Sequence, residues 1–427
     1  MSAKSDVLIV GAGLAGGLTA LRFKKAKPEL TVTVIEESKK VGGDVSHTWS
    51  FHDSDLNAGS REWLQPIISH SWDSHSVVFP RFSREIRGGY HAVRSGDFGK
   101  VLVDVLGSGL RLNSKAIRVT DTSVTLENGE TLTANLVIDA RGQLLPSKHA
   151  GFQKFIGFDV QTVEPHGLTS PILMDAACPQ LDGFRFFYLL PWDTNRLLIE
   201  ETYYSDTPTL NEDRISRSIE NYAERKGWKI AKIERRERGI LPIPLTGDYI
   251  VSSMAGEPLP IGTRGGFFHA TTGYSLPDTV RMAEFLTSLP EPTTAAARQA
   301  MLKFRKPFLS RQRFYRMLNR MLFMASEAPL RYLIMQKFYE QPIDTVERFY
   351  SGRSTWTDRL RILTGRAPVP FAKALRSFSE SSVTARSAVA KAAAVPTESP
   401  NAKSKSREAT RGASRTPGHN SGSEGKA

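Results

Sequence analysis

The chain has 427 residues, 57 Lys and Arg against 44 Asp and Glu, a formal net charge of +13 and a pI near 9.7. Its single cysteine, Cys178, excludes an intramolecular disulfide and a CxxC metal site, and no run of about 18 or more apolar residues is present to span a bilayer. A chain of this length buries a large core and is expected to fold as two intertwined domains, and the excess positive charge points to an anionic partner surface, phospholipid or nucleic acid.

The first six residues are mostly polar and lead straight into Val7-Leu8-Ile9-Val10, which reads as a short buried strand, so no signal peptide is expected. Gly11, Gly13 and Gly16 follow with G-x-G-x-x-G spacing, and Gly17 to Phe23 reads as the start of a helix. Gly11 permits a tight turn, Gly13 lets the backbone approach a pyrophosphate, and Gly16 lets the helix pack on the strand. The helix N-terminus offers free N–H groups to the phosphates. A second apolar strand, 31–35, ends on Glu36, where a carboxylate accepts ribose hydroxyls. Strand, loop, helix, strand and acid in this order form a dinucleotide-binding fingerprint. The acid favours an unphosphorylated ribose, so FAD or NAD over NADP.

Further along, Leu136-Val137-Ile138-Asp139-Ala140-Arg141-Gly142 reads as a buried strand ending in a polar turn, and it resembles the D-x-R-G segment of FAD proteins. Residues 155–250 read as strands. Within them Glu200 and Glu201 follow the apolar run Leu197-Leu198-Ile199, and strand alternation sends the two carboxyls to opposite faces, so only one points into an apolar tunnel. Residues 262–275, including Gly266, Thr272, Gly273 and Tyr274, resemble the late FAD segment whose glycine turn leads into a helix aimed at the flavin. That helix is expected over 276–286 with Ser275 as its cap. With these segments in order, FAD is the expected dinucleotide.

Between Phe304 and Phe349, dense Phe, Met, Leu and Tyr alternate with Arg and Lys at helical spacing. No RNA-binding signature accompanies them. Most of these residues suit an ordinary helical cap on the core, and a basic helical region of this kind also suits contact with a membrane surface. From Ser381 onward there are eight Lys and Arg against three Glu among Ala, Ser, Pro, Thr and Gly, a composition expected to stay disordered. The expected fold is α/β: a discontinuous Rossmann-type FAD-binding domain (1–150 and 250–295), an interleaved substrate-binding β-sheet (151–249), a C-terminal helical region (296–377) and a basic tail (378–427).

The segment His47-Thr48-Trp49-Ser50-Phe51-His52, with Asp53 and Asp55, closely resembles the H-T-W-S-F-H segment of bacterial lycopene beta-cyclases. Further segments resemble that family in the same order. They include Phe152–Gly157, His166–Asp175, Arg196–Tyr204, Phe268–Ser275, Arg316–Phe323, Arg348–Tyr350 and Asp358–Leu363. The resemblance covers about residues 5–375. Three departures stand out: Asp44-Val45-Ser46 before His47, Ala140 within the family's D-G-R-G, and Ala270 where the family reads H-P-T-T-G-Y-S. Ala140 is expected to crowd a close backbone approach and Ala270 to loosen the loop.

The resemblance implies cyclisation of the ends of lycopene, through gamma-carotene, to beta-carotene, without net redox. It implies reduced FAD as cofactor, NAD(P)H as reductant and a cytoplasmic protein held peripherally at a membrane, with no nucleic-acid partner. Such a site needs an acid, a base, a surface that steadies a cation, and exclusion of water. The family's I-E-[ED]-T segment makes Glu200 the first candidate acid and Glu201 the second; whether Glu200 or the flavin delivers the proton stays open. His47, Trp49, Phe51 and Tyr203 are candidate substrate contacts, with Phe186, Phe187, Tyr188 and Tyr274 as further aromatic candidates. His52, His166 and His269 suit structural roles better than proton transfer. No metal site is expected. A flavin monooxygenase, a saturating prenyl reductase and a non-catalytic lipid- or nucleic-acid-binding flavoprotein remain as alternatives.

Overall fold

The computed structural model describes residues 4–42, 46–142, 149–364 and 371–383. Asp44 and Val45 of the first departure, and residues 384–427 of the tail, lie outside the described residues. In chain order the first strands are β1 (Lys4–Val10), β2 (Val32–Ile35), β3 (Thr48–His52), β4 (His70–Phe79), β5 (Phe82–Arg94), β6 (Leu110–Arg111), β7 (Ala116–Val119) and β8 (Ser123–Leu126). They are followed by β9 (Thr131–Asp139), β10 (Ala150–Thr162), β11 (Ile172–Asp175), β12 (Phe184–Pro191), β13 (Arg196–Ser205), β14 (Ile230–Pro244) and β15 (Leu259–Pro260). The helices are α1 (Leu14–Ala26), α2 (Ala58–Leu64), α3 (Ser95–Leu106), α4 (Glu212–Arg225), α5 (Leu276–Thr287), α6 (Thr294–Arg320), α7 (Arg331–Tyr339), α8 (Ile343–Tyr350), α9 (Trp356–Thr364) and α10 (Phe371–Arg376).

Among the described residues the strands form two sheets. The first runs β6-β2-β1-β9-β8-β7, with β15 beside the end of β9. Its centre is parallel: β1 pairs with β2 and with β9, and α1 makes the crossover between β1 and β2. Val7, Leu8 and Ile9 are wholly buried because both faces of this sheet are covered. Gly17 of α1 packs so tightly against Phe98 and Leu102 of α3 that a Cβ there would come within 2.5 Å of the Phe98 ring.

The second sheet runs β14-β10-β13-β12-β11-β4-β5-β3. This corrects the expected domain boundaries. Position in the chain places residues 48–94 in the nucleotide domain, yet β3, β4 and β5 belong to the second sheet. The physical reason is main-chain pairing: β5 pairs antiparallel with β3 and β4, and β4 pairs in parallel with β11. Both sheets are therefore built from separated stretches of chain.

The helical region joins the two sheets. Thr294, at the start of α6, accepts the Val137 N–H of β9 at 2.8 Å. At the far end of the same 27-residue helix, Asn319 donates to the carbonyls of Pro244 and Ala270, both at 2.9 Å. Phe308, Phe314, Tyr315, Leu322, Phe323, Met335, Tyr339, Phe349 and Tyr350 are buried. The aromatic run of residues 304–349 is thus mainly core. Within the C-terminal helices the large apolar side chains left exposed lie chiefly beyond that run, with Trp356 at 75%, Leu360 at 52% and Leu375 at 60%. No helix among the described residues is long and apolar enough to cross a membrane.

The expected tail boundary also moves. Arg320 donates to the carbonyls of Ser377 and Phe378, Arg316 pairs with Glu380, and Val383 is buried, so residues 378–383 pack onto the body. Buried arginines on α6 need carbonyl and carboxylate partners, and this segment supplies them.

Asn319→Ala leaves two buried carbonyls without their donor. It is expected to lower stability by roughly 2 kcal/mol, measured by urea denaturation.

Candidate active site

A cavity of about 750 Å³ runs from the glycine turn of the first sheet to the inner face of the second. At one end it is walled by Gly11, Gly13, Leu14, Ala15 and Glu36. At the other lie Glu200, Thr202, Tyr188 and Glu237, with residues 272–276 alongside.

The glycine end follows from local geometry. Gly11 has φ +102°, and a Cβ there would sit 2.9 Å from the Ala140 carbonyl carbon. At Gly16 a Cβ would lie 1.9 Å from the Gly11 oxygen, so Gly16 serves helix–strand packing and does not line the cavity. Gly13 has open space around it and caps α1 without a side-chain hydrogen bond. The first N–H groups of α1 have no intrahelical acceptor and stand at the cavity wall. Glu36 is held by the N–H groups of Ala12, at 2.8 Å, and Ser38, at 3.0 Å. This end fits a pyrophosphate and ribose.

Two cofactor candidates and the expected cap of α5 are placed differently from expectation. Asp139 is buried and pairs with Arg141 and Arg264, each at 2.7 Å, so it braces the turn while Ala140, Arg141 and Gly142 face the cavity. Gly266 sits at φ +77° beside Tyr249 and shapes the loop from outside the cavity. Ser275 precedes α5 but makes no capping hydrogen bond through its side chain. Thr272, Gly273 and Tyr274 do line the cavity. Ala270 does not loosen this loop: its N–H donates to Gln312 Oε1 at 3.0 Å, a bond that proline could not make. Ala140 is accommodated, since its Cβ would lie 3.1 Å from a Cβ at Gly16, which glycine lacks.

Strand parity sorts the other candidates. On one face of the second sheet Phe186, Tyr188, Glu200, Thr202 and Tyr204 reach the cavity. On the opposite face Phe187, Ile199 and Tyr203 pack with Ile215, Ile219 and Tyr222 of α4. Glu201 lies on that second face, wholly buried, 2.5 Å from Arg185 Nε and hydrogen-bonded by the Tyr203 hydroxyl. The structure therefore corrects the listing of Glu201 as a candidate acid and of Tyr203 and Phe187 as substrate contacts; alternation along the strand turns all three away. Phe51 is likewise turned away and stacks on His91 at 4.8 Å, whereas His47, Thr48, Trp49 and Ser50 line the cavity. His166 bonds the Asp193 carbonyl at 2.6 Å and His269 the Phe349 carbonyl at 2.9 Å; both are structural.

Glu200 accepts the Thr202 hydroxyl at 2.7 Å. Burial, and then the neighbouring charge of Glu237, push its carboxyl up to about 8. A carboxyl in that range keeps its proton at neutral pH, as a general acid requires. His47 is held below the ordinary histidine range by burial and by Arg235. A hydrogen-bonded hydroxyl group links Ser50, Tyr188, Tyr90 and Tyr274, with oxygens 2.8 to 3.1 Å apart. Among the described residues no group of three His, Cys, Asp or Glu is arranged to hold a metal ion.

Sequence reasoning missed Glu237 and Arg235. Arg235, Glu237, Gly239 and Leu241 share one parity in β14, while a bulge after Ile233 turns that residue to the opposite face. That alternation places the two charged residues on the apolar face, a signal available in the chain itself.

A family model for lycopene cyclase proteins matches residues 6–376. The lycopene beta-cyclase of Pseudescherichia vulneris is 42% identical over 375 residues, 87% of this chain and 96% of the relative. A geranylgeranyl bacteriochlorophyll reductase-like protein from Thermoplasma acidophilum has a similar structure, with a TM-score of 0.56 at 14% identity, covering 87% of this chain and 98% of that one. A flavoprotein/dehydrogenase from Cytophaga hutchinsonii has a TM-score of 0.55 at 14% identity, covering 86% and 97%. These two likenesses show the fold. The family match and the identity to the bacterial relative show more: the chain belongs to the lycopene cyclase family.

Proposed function

We propose that the chain cyclises the acyclic ends of lycopene, through gamma-carotene, to beta-carotene, with reduced FAD as cofactor and NAD(P)H as reductant. The observation that carries this reading is the buried Glu200 carboxyl in the same cavity as the glycine turn and Glu36.

FAD fits the residues present. Gly11, Gly13 and Glu36 would hold the pyrophosphate and ribose, and Thr272 to Leu276 would hold the ring end. Gln153 Oε1, buried at the cavity wall without a hydrogen-bond partner, is a polar atom in want of a ligand. Bound there in reduced form, FAD supplies a flat, electron-rich surface beside the reacting end of the polyene. The protein does the rest. Glu200 gives its proton to the terminal double bond, and the neighbouring alkene closes the ring on the tertiary cation. Phe186, Tyr188 and Tyr274 exclude water that would trap the cation and offer it π faces. The polyene comes from lipid, and exposed Trp356, Leu360 and Leu375 among basic residues suit a peripheral membrane surface facing the cytoplasm.

Anaerobic incubation of the purified protein with lycopene, FAD and NADPH, followed by chromatography, tests the activity. Beta-carotene of unchanged mass is expected; a need for oxygen or a gain of hydrogen overturns the reading. Gly11→Val forces a branched side chain into a turn at φ +102° and is expected to abolish flavin content in folded protein, read by absorbance. Glu200→Gln should retain flavin and lose at least ~100-fold in ring formation. Glu201→Gln should instead weaken the fold by about 3 kcal/mol through the unpaired Arg185, with cyclisation per flavin-loaded molecule near wild type. Flotation with anionic liposomes should show binding that fades as salt is raised, and a fully soluble protein at low salt removes the membrane assignment.

A further inference from the structure

Glu237 is a second buried carboxyl at the cavity, on the strand two places from Glu200 in the sheet. β10 lies between β13 and β14, and Gly157 of β10 is in register with Glu200 on one side and with Glu237 on the other. Side chains in register across neighbouring strands stand on one face. Gly157 puts no side chain of its own between them, and Leu198 Cδ1 reaches the same space, 3.0 Å from where a Cβ would stand. A Cβ built there would lie 3.2 Å from Glu200 Cβ and 3.1 Å from Glu237 Cγ, so any other residue would wedge the two acids apart.

The two carboxyls are held differently. Glu237 Oε2 accepts Arg235 Nη1 at 2.9 Å and the Thr48 hydroxyl at 3.0 Å. Its other oxygen, Oε1, is buried and has no partner. Glu200 has only the Thr202 hydroxyl. Arg235 is itself fixed by Asp159 of β10 at 2.6 Å, so its guanidinium cannot swing across to Glu200. The groups that face the pair are therefore Arg235 from β14, Asp159 from β10, Tyr188 from β12, and Thr48 and His47 near β3.

We propose that Glu237 is the base of the site and forms with Glu200 a carboxyl pair, joined across Gly157, that carries one proton through the reaction. This rests on the cyclase reading above. Glu200 O–H breaks as a C–H bond forms at the terminal alkene carbon. The neighbouring alkene forms the ring C–C bond. A ring C–H then breaks, its electron pair becomes the ring double bond, and the proton goes to the free oxygen of Glu237. Transfer from Glu237 back to Glu200 restores the starting state, so the cycle consumes neither proton nor electron. An isomerase that excludes water needs such an internal return, because bulk solvent cannot recharge its acid while the cavity is closed. Burial raises the Glu237 carboxyl too, but the Arg235 guanidinium and the Thr48 hydroxyl oppose that rise, so Glu237 is the member that waits as carboxylate.

The test is infrared titration of the buried carboxylic-acid C=O band in the flavin-loaded protein, alongside the pH dependence of kcat. In the wild-type protein the pair should lose its protons in two separated steps, the upper near 8, with kcat falling through that upper step. A single step for both carboxyls overturns the proposal. Glu237→Gln removes the negative neighbour, so the Glu200 band and the falling limb of kcat should move down by roughly one pH unit. Cyclisation at neutral pH should drop at least ~10-fold with KM for lycopene little changed. Glu237→Asp, which keeps the charge, should keep the upper midpoint. A purely structural Glu237 would lower activity without moving the midpoint, and an unmoved midpoint in folded, flavin-loaded Glu237→Gln overturns the pair. Absence of any cyclic product from the wild-type protein would instead refute the activity, while the infrared steps would still report on the pair.

Discussion

The second sheet has the cavity on one face and the core beneath α4 on the other, and the alternation of β13 between them determines which acid can react. Glu200 and Glu201 are neighbours in the chain and both are buried, yet they differ in almost every other respect. Glu201 is met by the Arg185 guanidinium and the Tyr203 hydroxyl beneath α4. Glu200 meets one hydroxyl and a second carboxyl at the cavity. A carboxyl locked to Arg185 away from the cavity cannot reach a substrate there, whereas Glu200, at the cavity with a like-charged neighbour, retains its proton. The pleat of a single strand thus divides a structural role from a chemical one.

Charge inside this sheet is organised around Arg235 and Asp159. Asp159 accepts Arg94 at 3.1 Å, Arg235 at 2.6 Å and the Trp192 indole at 2.9 Å. Arg235 in turn reaches Glu237 and Thr48. Buried charges persist only when paired and hydrogen-bonded, and this ladder gives each of its members such partners. Because the ladder connects β3, β5, β10 and β14, it also fastens the two ends of the long sheet around the cavity.

The loop 269–276 reaches the cavity wall through Thr272 to Leu276, and its position depends on the helical region. His269 is bonded to the carbonyl of Phe349 at the end of α8, Ala270 to Gln312 and Asn319 of α6, and Thr271 to the carbonyl of Tyr315. The dense aromatic sequence of these helices is therefore a buttress, and its apolar side chains are mostly consumed in the core. Within the C-terminal helices the exposed apolar side chains gather mainly in the segment around Trp356 and Leu375.

Sequence alone determined the glycine turn, the parallel β1–α1–β2 unit, the α5 helix and the fact that only one of Glu200 and Glu201 can face the cavity. Each depends on short-range rules: glycine spacing, helical period and strand alternation act over a few residues and are written in consecutive positions. The family segments added the reaction. Tertiary structure alone decided that residues 48–94 belong to the second sheet, that Asp139 braces the turn, that residues 378–383 pack on α6, and that Glu237 stands beside Glu200. Those outcomes depend on which strands pair across tens of residues of intervening chain. Gly157 illustrates the difference. In sequence it is one glycine within a strand, and only the register of β10 with both β13 and β14 sets its missing side chain between Glu200 and Glu237.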